Sequence, residues 1–328
     1  MNNLREIAQN FKTDSDFAVF EDEQMARRFS FKVGGKAELL IEPLSENALI
    51  KCVNIFEQNK IPYFILGGGT NIVFSDKGFS GAVISTLKLN KIEEIKTGEK
   101  TAVLKCQCGV LMNSLVNFAV KNCYSGLEYF CGLPGTVGGA CYMNARCFNL
   151  EVSDVVKDIE YIKKENLHAL SSAYRKNTLH SDKGMWEYKK SPFTNSTDII
   201  LSAEFKVTKE SGSMAQEIAD RARDFMKERI EKGHFKFPCA GSVFKNNRSF
   251  GKPTGQIIDE LGLKGYSIGG AKISDWHGNI IINTGNATQS EIKQLVDFIK
   301  NTVKEKTGFK LEEEIIFKLK NIFVNYFF

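Results

Sequence analysis

The 328-residue chain lacks the signatures of several common chemistries. It has only 4 histidines, and none of its 8 cysteines forms a C-x-x-C pair, so no zinc or other metal site is expected. There is no Gly-Lys-Ser or Gly-Lys-Thr, which removes the P-loop. No window reaches the roughly eighteen apolar residues that a membrane span requires, so no membrane partner is expected. The start of the chain has no continuous apolar core behind a basic segment, so no secretory signal is expected and the location implied is cytoplasmic. A strong charge of one sign is also missing. The 44 Lys and Arg stand against 39 Asp and Glu, and no basic run carries interleaved aromatics. The net +5 suits an anionic small molecule and does not imply nucleic acid.

What is present is an ordinary globular composition, 42% hydrophobic and 25% charged, long enough for two or so domains. The cysteines (52, 106, 108, 123, 131, 141, 147 and 239) read as free thiols of a reducing compartment rather than a disulfide framework. Cys106 and Cys108 lie in an alternating stretch that places both on one strand face. Apolar alternation or runs predict strands at Ala37 to Ile41, Ile61 to Leu66, Ile72 to Phe74, Gly81 to Ile84, Thr101 to Cys106, Asp158 to Ile162 and Ile199 to Val207. Helical stripes run through Leu49, Ile50, Val53 and Phe56, and through Leu111, Leu115, Val116 and Ala119. A long helix spans Met214 to Lys232, with Ile218, Ala222, Phe225 and Arg229 in period and Gly233 as terminator. Another covers Ser290 to Lys304, with a capping box of Thr288 and Glu291 and a stop at Gly308. Asn166 to Lys190 is polar and irregular and reads as a long loop. The apolar tail Asn321 to Phe328 reads as an edge strand or packing tail.

Four segments carry chemical signals. Gly67-Gly68-Gly69-Thr70-Asn71 lets backbone N–H groups converge, as a phosphate nest or as a tight hairpin turn. It is not a dinucleotide fingerprint, because an apolar strand follows where a helix should open. Gly132-Leu-Pro134-Gly135-Thr136-Val-Gly138-Gly139-Ala140 repeats the theme, and two such loops favour a diphosphate cradle. Ala240-Gly241-Ser242-Val243-Phe244-Lys245-Asn246 exposes a hydroxyl or caps a turn; it is not a nucleophile elbow, since position 244 is Phe. In Leu311-Glu312-Glu313-Glu314 before Ile315, one acid faces inward if the strand alternation extends back.

The order of these motifs resembles the UDP-N-acetylenolpyruvoylglucosamine reductases, the MurB flavoenzymes of peptidoglycan synthesis. The matching pieces are Phe31 to Gly35, Leu66 to Asn71 with Asp76-Lys-Gly78, Gly126-Leu-Glu128, Gly132 to Ala140 with Met143-Asn-Ala145, and Tyr188-Lys-Lys-Ser-Pro-Phe193. Ala240 to Asn246, Leu263-Lys-Gly265, Ile268-Gly-Gly-Ala271 and Leu311 to Glu314 complete the order, over about residues 26 to 318. The spacing from Phe193 to Ser242 resembles the shorter subgroup without a tyrosine-bearing insertion.

The resemblance implies an α+β fold: a two-lobed FAD-binding domain of the vanillyl-alcohol-oxidase (PCMH) type and a C-terminal α+β substrate-binding domain. Residues 1–25 are then an N-terminal extension, 26–208 the FAD-binding domain with lobes of about 26–88 and 89–208, and 209–328 the substrate domain. It also implies non-covalent FAD, NADPH as co-substrate, and a small-molecule UDP-sugar enolpyruvyl ether as substrate, with no obligate protein partner. FAD falls to Gly67, Gly68, Gly69, Thr70 and Asn71 and to Gly132, Pro134, Gly135, Thr136, Gly138 and Gly139. Ser242 takes the proton-donor role, Glu314 the acid and Lys189 the catalytic cation, with Arg175 the competing cation; Tyr188, Asn246 and Lys264 fall to the substrate. Three departures from the family's usual pattern stand out: Lys189 replaces Arg, Arg146-Cys147 replaces Gly-Ala, and Asn247 replaces Pro. A diverged, non-catalytic binder of flavin or nucleotide sugar is the alternative reading.

Overall fold

The computed structural model describes residues 2–168 and 171–318. Its first lobe rests on a four-stranded sheet in the order Phe17–Gln24, Lys36–Pro43, Phe79–Ser85, Tyr63–Leu66. The first pairing is antiparallel and the other two are parallel. Both faces of the inner strands are covered, which is why they read as apolar runs without polar alternation. Leu39, Ile41, Ile65 and Ile84 join one core with Leu49, Val53 and Phe56 of the helix Glu46–Gln58. Leu40, Phe64, Leu66 and Val83 point the other way, into a second core around Phe29 and Phe74. The expected N-terminal extension belongs to this lobe: Phe17–Gln24 is its edge strand, and the helix Asn2–Lys12 sinks Ile7, Ala8 and Phe11 into the first core.

The second lobe is an antiparallel sheet in the order Ser171–His180, Val156–His168, Ile199–Lys209, Thr101–Gln107, Ile92–Thr97. The strand Ser171–His180 corrects the long-loop reading of Asn166 to Lys190. It is an edge strand, and among its described side chains only Tyr174 is buried, so it has no apolar alternation to betray it.

The long helix Ser213–Glu231 also packs here. Ala222 enters the first core, Phe225 stacks within 4.2 Å of Phe148 and 5.2 Å of Tyr129, and Arg221 pairs with buried Glu128 at 2.9 Å. A boundary near residue 209 therefore assigns to the substrate domain a helix whose contacts are with the second lobe.

A third core begins after that helix. Its sheet runs Cys239–Ser242, Ile280–Asn283, Ala271–Ile273, Ser267–Ile268, covered by the helices Thr254–Glu260 and Gln289–Thr307. The second of these shows the predicted capping box of Thr288 and Glu291. Its first-turn N–H groups, from Gln289 and Ser290, donate to the first-lobe carboxylate of Asp76 at 2.8 and 3.2 Å, a favourable place for an anion. Phe31, Val33 and Val73 of the first lobe lie in this third core, and Ile316–Lys318 pairs in parallel with Ile72–Phe74. The tail Asn321 to Phe328 lies outside the described residues. Among the described residues no helix is long and apolar enough to cross a membrane, and no group of three His, Cys, Asp or Glu is placed to hold a metal. All 8 cysteines are unpaired.

Candidate active site

The two glycine-rich loops meet. A Cβ on Gly68 would lie 2.7 Å from the Cα of Gly135, closer than real Cβ contacts come, and Gly135 itself sits at φ +101°. Only backbone can occupy this contact. The N–H groups of Gly68, Gly69, Thr70, Asn71, Gly135 and Thr136 carry no hydrogen bond to another described group. These are the donors a diphosphate needs, so the cradle fits FAD.

Not every predicted glycine contributes a donor. Gly132 N–H is held by Asn113 Oδ1 at 2.9 Å, Gly138 N–H by the Cys108 carbonyl at 2.8 Å, and Gly139 N–H by the capping Thr136 hydroxyl at 3.3 Å. A cavity of about 180 Å³ runs along Gly68, Thr70, Asn71, Pro134, Gly135, Thr136 and Gly139. Gly67, Gly69, Gly132 and Gly138 shape the loops without lining it.

Ser242 ends the strand Cys239–Ser242 at the rim of this cavity, and its hydroxyl has no partner among the described residues. The neighbouring Val243 carbonyl accepts the Glu314 N–H at 2.8 Å, while the Glu314 carbonyl accepts from Asn71 Nδ2 at 3.0 Å. That clamp ties the Glu314 backbone to the residue that follows Ser242, and both Ser242 and Glu314 line the cavity. The two preceding acids are paired elsewhere: Glu312 with Lys245 at 2.5 Å and Glu313 with Lys300 at 2.8 Å.

Lys189 enters from the second lobe, on a tight turn closed by reciprocal Glu187 and Lys190 backbone bonds of 3.1 Å. Ser191 and Phe193 anchor the turn, the first donating to the Tyr142 carbonyl at 2.7 Å and the second packing on Tyr161. Lys189 itself is held at φ +57°, a left-handed conformation sparsely used by non-glycine residues and found at functional sites. Its Nζ lies 2.6 Å from Glu314 Oε1, with 14% and 13% of the two side chains exposed.

A wider groove of about 910 Å³ opens beyond this point. Tyr188 and Asn246 line it, although Asn246 Oδ1 is already accepting the Thr254 N–H at 2.9 Å. Lys264 lines neither space and pairs with Asp259 at 2.7 Å. Arg175 lies on the exposed edge strand, away from both.

Three basic residues not singled out as site residues from sequence also line the cavity: Arg146, Arg229 and His234. Arg229 donates to the Cys147 thiol at 3.6 Å, and its buried Nε has no partner among the described residues. Its signal was visible as a charged residue on the apolar stripe of a helix. Burial, with help from the nearby Arg229 charge and His277, pushes His234 down to about 4. Burial pushes the Cys131 and Cys147 thiols up, so neither is a ready nucleophile.

Residues 37–166 match the family described as FAD binding domain, and residues 233–318 match UDP-N-acetylenolpyruvoylglucosamine reductase, C-terminal domain. The chain is 44% identical to the UDP-N-acetylenolpyruvoylglucosamine reductase of Treponema denticola over 326 residues, 97% of this chain and 98% of that one. It is 37% identical to the enzyme of the same name from Caldanaerobacter subterraneus, over 95% of each chain. The crystal structure of UDP-N-acetylenolpyruvylglucosamine reductase (MurB) from Thermus caldophilus superposes with a TM-score of 0.71 at 27% identity, covering 92% of this chain and 98% of that chain. The architecture is accordingly an FAD-binding domain joined to a MurB C-terminal domain. With relatives this similar along nearly its whole length, the chain belongs to the UDP-N-acetylenolpyruvoylglucosamine reductase family.

Proposed function

We propose that Ser242, Glu314 and Lys189 carry the reduction of the enolpyruvyl ether of UDP-N-acetylglucosamine to UDP-N-acetylmuramate in this FAD-dependent oxidoreductase. The observation that carries the assignment is their convergence. Three separate segments bring them to the place where the glycine-lined cavity opens into the wide groove. The two glycine loops would hold FAD, which when bound and reduced by NADPH would supply a hydride for the methylene carbon of the substrate.

Hydride addition leaves negative charge on the neighbouring carbon and its carboxylate. Positive charge at Lys189 lowers the energy of that state, and in a half-buried site such a charge acts more strongly than in water. The Ser242 hydroxyl, unpartnered and at the rim, delivers the proton that completes the reaction. Glu314 holds the Lys189 ammonium at 2.6 Å, which fixes its position before substrate arrives. Tyr188 and Asn246 offer the groove side an aromatic face and a free amide NH₂ for the nucleotide. Lys264, bound to Asp259 outside both spaces, is not assigned a substrate contact. NADPH and a nucleotide sugar are cytoplasmic metabolites, and the cytoplasm is where we place the enzyme.

The test is a visible absorption spectrum of the purified protein. Flavin bands that bleach with NADPH and return on adding the enolpyruvyl sugar are expected. A protein that bleaches but stays bleached with that sugar would belong to the non-catalytic or diverged alternative.

A further inference from the structure

The glycine-lined cavity and the wide groove share four lining residues: Lys189, Ser242, Glu314 and Arg146. Three of these are the proposed reaction groups; the fourth has no assigned role. The substrate places its carboxylate on the carbon that Ser242 protonates, so the group that binds this carboxylate must stand at the same junction. Lys189 is poorly suited to do so alone. Its charge is matched by Glu314 at 2.6 Å, and an ammonium lacks the planar fork that grips both carboxylate oxygens.

Arg146 has the fork and is lightly engaged. Its Nη1 reaches Glu151 Oε1 at 3.4 Å and its Nε the Phe148 carbonyl at 3.4 Å, both at the outer limit of a hydrogen bond. Glu151 divides its attention, since its other oxygen accepts from Asn144 Nδ2 at 3.2 Å. The arginine stands on a two-stranded hairpin, Arg146–Cys147 against Leu150–Glu151, that fixes its backbone. Its side chain is 35% exposed, open to an incoming ligand.

We propose that Arg146 binds the enolpyruvyl carboxylate in this enzyme, sharing with Lys189 the work that a single bidentate cation could do alone. The inference rests on the reaction proposed above and deepens it: Arg146 selects the carboxylate-bearing nucleotide sugar over the same sugar without it.

The experiment is calorimetric titration of the FAD-loaded protein with UDP-N-acetylglucosamine enolpyruvate and, separately, with UDP-N-acetylglucosamine, which has no carboxylate. Arg146→Gly should weaken the first ligand by about ten- to hundred-fold, the effect of losing a charge-assisted hydrogen bond, and leave the second unchanged. Arg146→Lys keeps the charge and the bulk; it should show a smaller loss confined to the first ligand. Equal weakening of both ligands, or of neither, in the Lys variant overturns the proposal even if the Gly variant folds poorly. The reaction proposal is judged separately: a parent protein that prefers the carboxylate-bearing ligand but never reduces it contradicts that proposal and leaves the binding role of Arg146 standing.

Discussion

Lys189 Nζ and Glu314 Oε1 form a 2.6 Å ion pair across the line where the second lobe faces the C-terminal strand end. With 14% and 13% of the side chains exposed, the pair is too buried for water to replace a missing partner fully. Lys189→Ala leaves the Glu314 carboxylate uncompensated beside the carbon where negative charge must develop. The substrate half-reaction should slow, while the NADPH half-reaction is spared. Lys189→Arg keeps the charge and should be tolerated better than Ala, though not necessarily as well as Lys. Arg175→Ala should matter little, since Arg175 lies on the exposed edge strand. Stopped-flow absorbance on both half-reactions separates the three. Loss of the substrate step in the Arg175 variant, with Lys189→Ala unaffected, reverses the assignment.

Flavin content should respond to Gly68→Ala. The added Cβ would meet the Gly135 Cα at 2.7 Å, and backbone on both sides cannot swing away as a side chain could. Either the loops separate or their free N–H groups turn, and both outcomes loosen the diphosphate cradle. The ratio of flavin absorbance to protein absorbance should fall well below that of the parent. A variant purified with its full flavin complement would make the contact a matter of fold alone.

Acid stability carries the mark of His234. Its native value, about 4, lies below its ordinary 6.5, chiefly through burial and then through Arg229 and His277. Burial lowers His277 as well. Between about pH 6.5 and 4 the unfolded chain binds protons that the folded chain refuses, so stability falls as the pH drops through that window. Above about pH 7 neither state is protonated and these histidines contribute no slope. Melting temperatures measured from pH 7.5 down to 4.5 should decline, and His234→Gln should flatten the decline. An unchanged slope in that variant would assign the acid sensitivity elsewhere.

Much of this arrangement was legible because it rests on local rules. The helix Gln289–Thr307 announces itself by its apolar stripe, its capping box and Gly308. The strand Tyr63–Leu66 shows as an apolar run because both of its faces are buried. Ser242 and Glu314 were legible through motif order, and the structure adds the backbone bond from Glu314 to Val243 and the cavity that both line.

What escaped depends on partners distant in sequence. Ser171–His180 has an edge position that lets its side chains stay polar. The helix Ser213–Glu231 carries the pattern of any amphipathic helix, and nothing in that pattern says that Phe225 will meet Phe148 and Tyr129. Arg146 looked only like a departure until its place on the shared wall of two spaces was visible. Lys264 meets Asp259 in an ion pair that its motif does not announce.

The role of Ser242 is tested by removing one oxygen. Ser242 is fixed by its backbone, paired with Ile280 at the end of the strand Cys239–Ser242, and its hydroxyl bonds to no described group. Alanine therefore deletes the hydroxyl without breaking a hydrogen bond or emptying a packed core, and the parent fold should persist. If the hydroxyl is the proton donor, its loss strands the reaction after hydride addition, and the substrate half-reaction should slow by roughly a hundred- to ten-thousand-fold. The NADPH half-reaction needs no proton from this position and should run at the parent rate. Affinity for the nucleotide sugar should change little, because the hydroxyl acts on the reacting carbon and not on the nucleotide. That combination separates chemistry from binding: a rise in KM with kcat unchanged would make Ser242 a binding group. Turnover at the parent rate would make the Gly-Ser-Val-Phe turn purely structural and remove the proton donor from this side of the site.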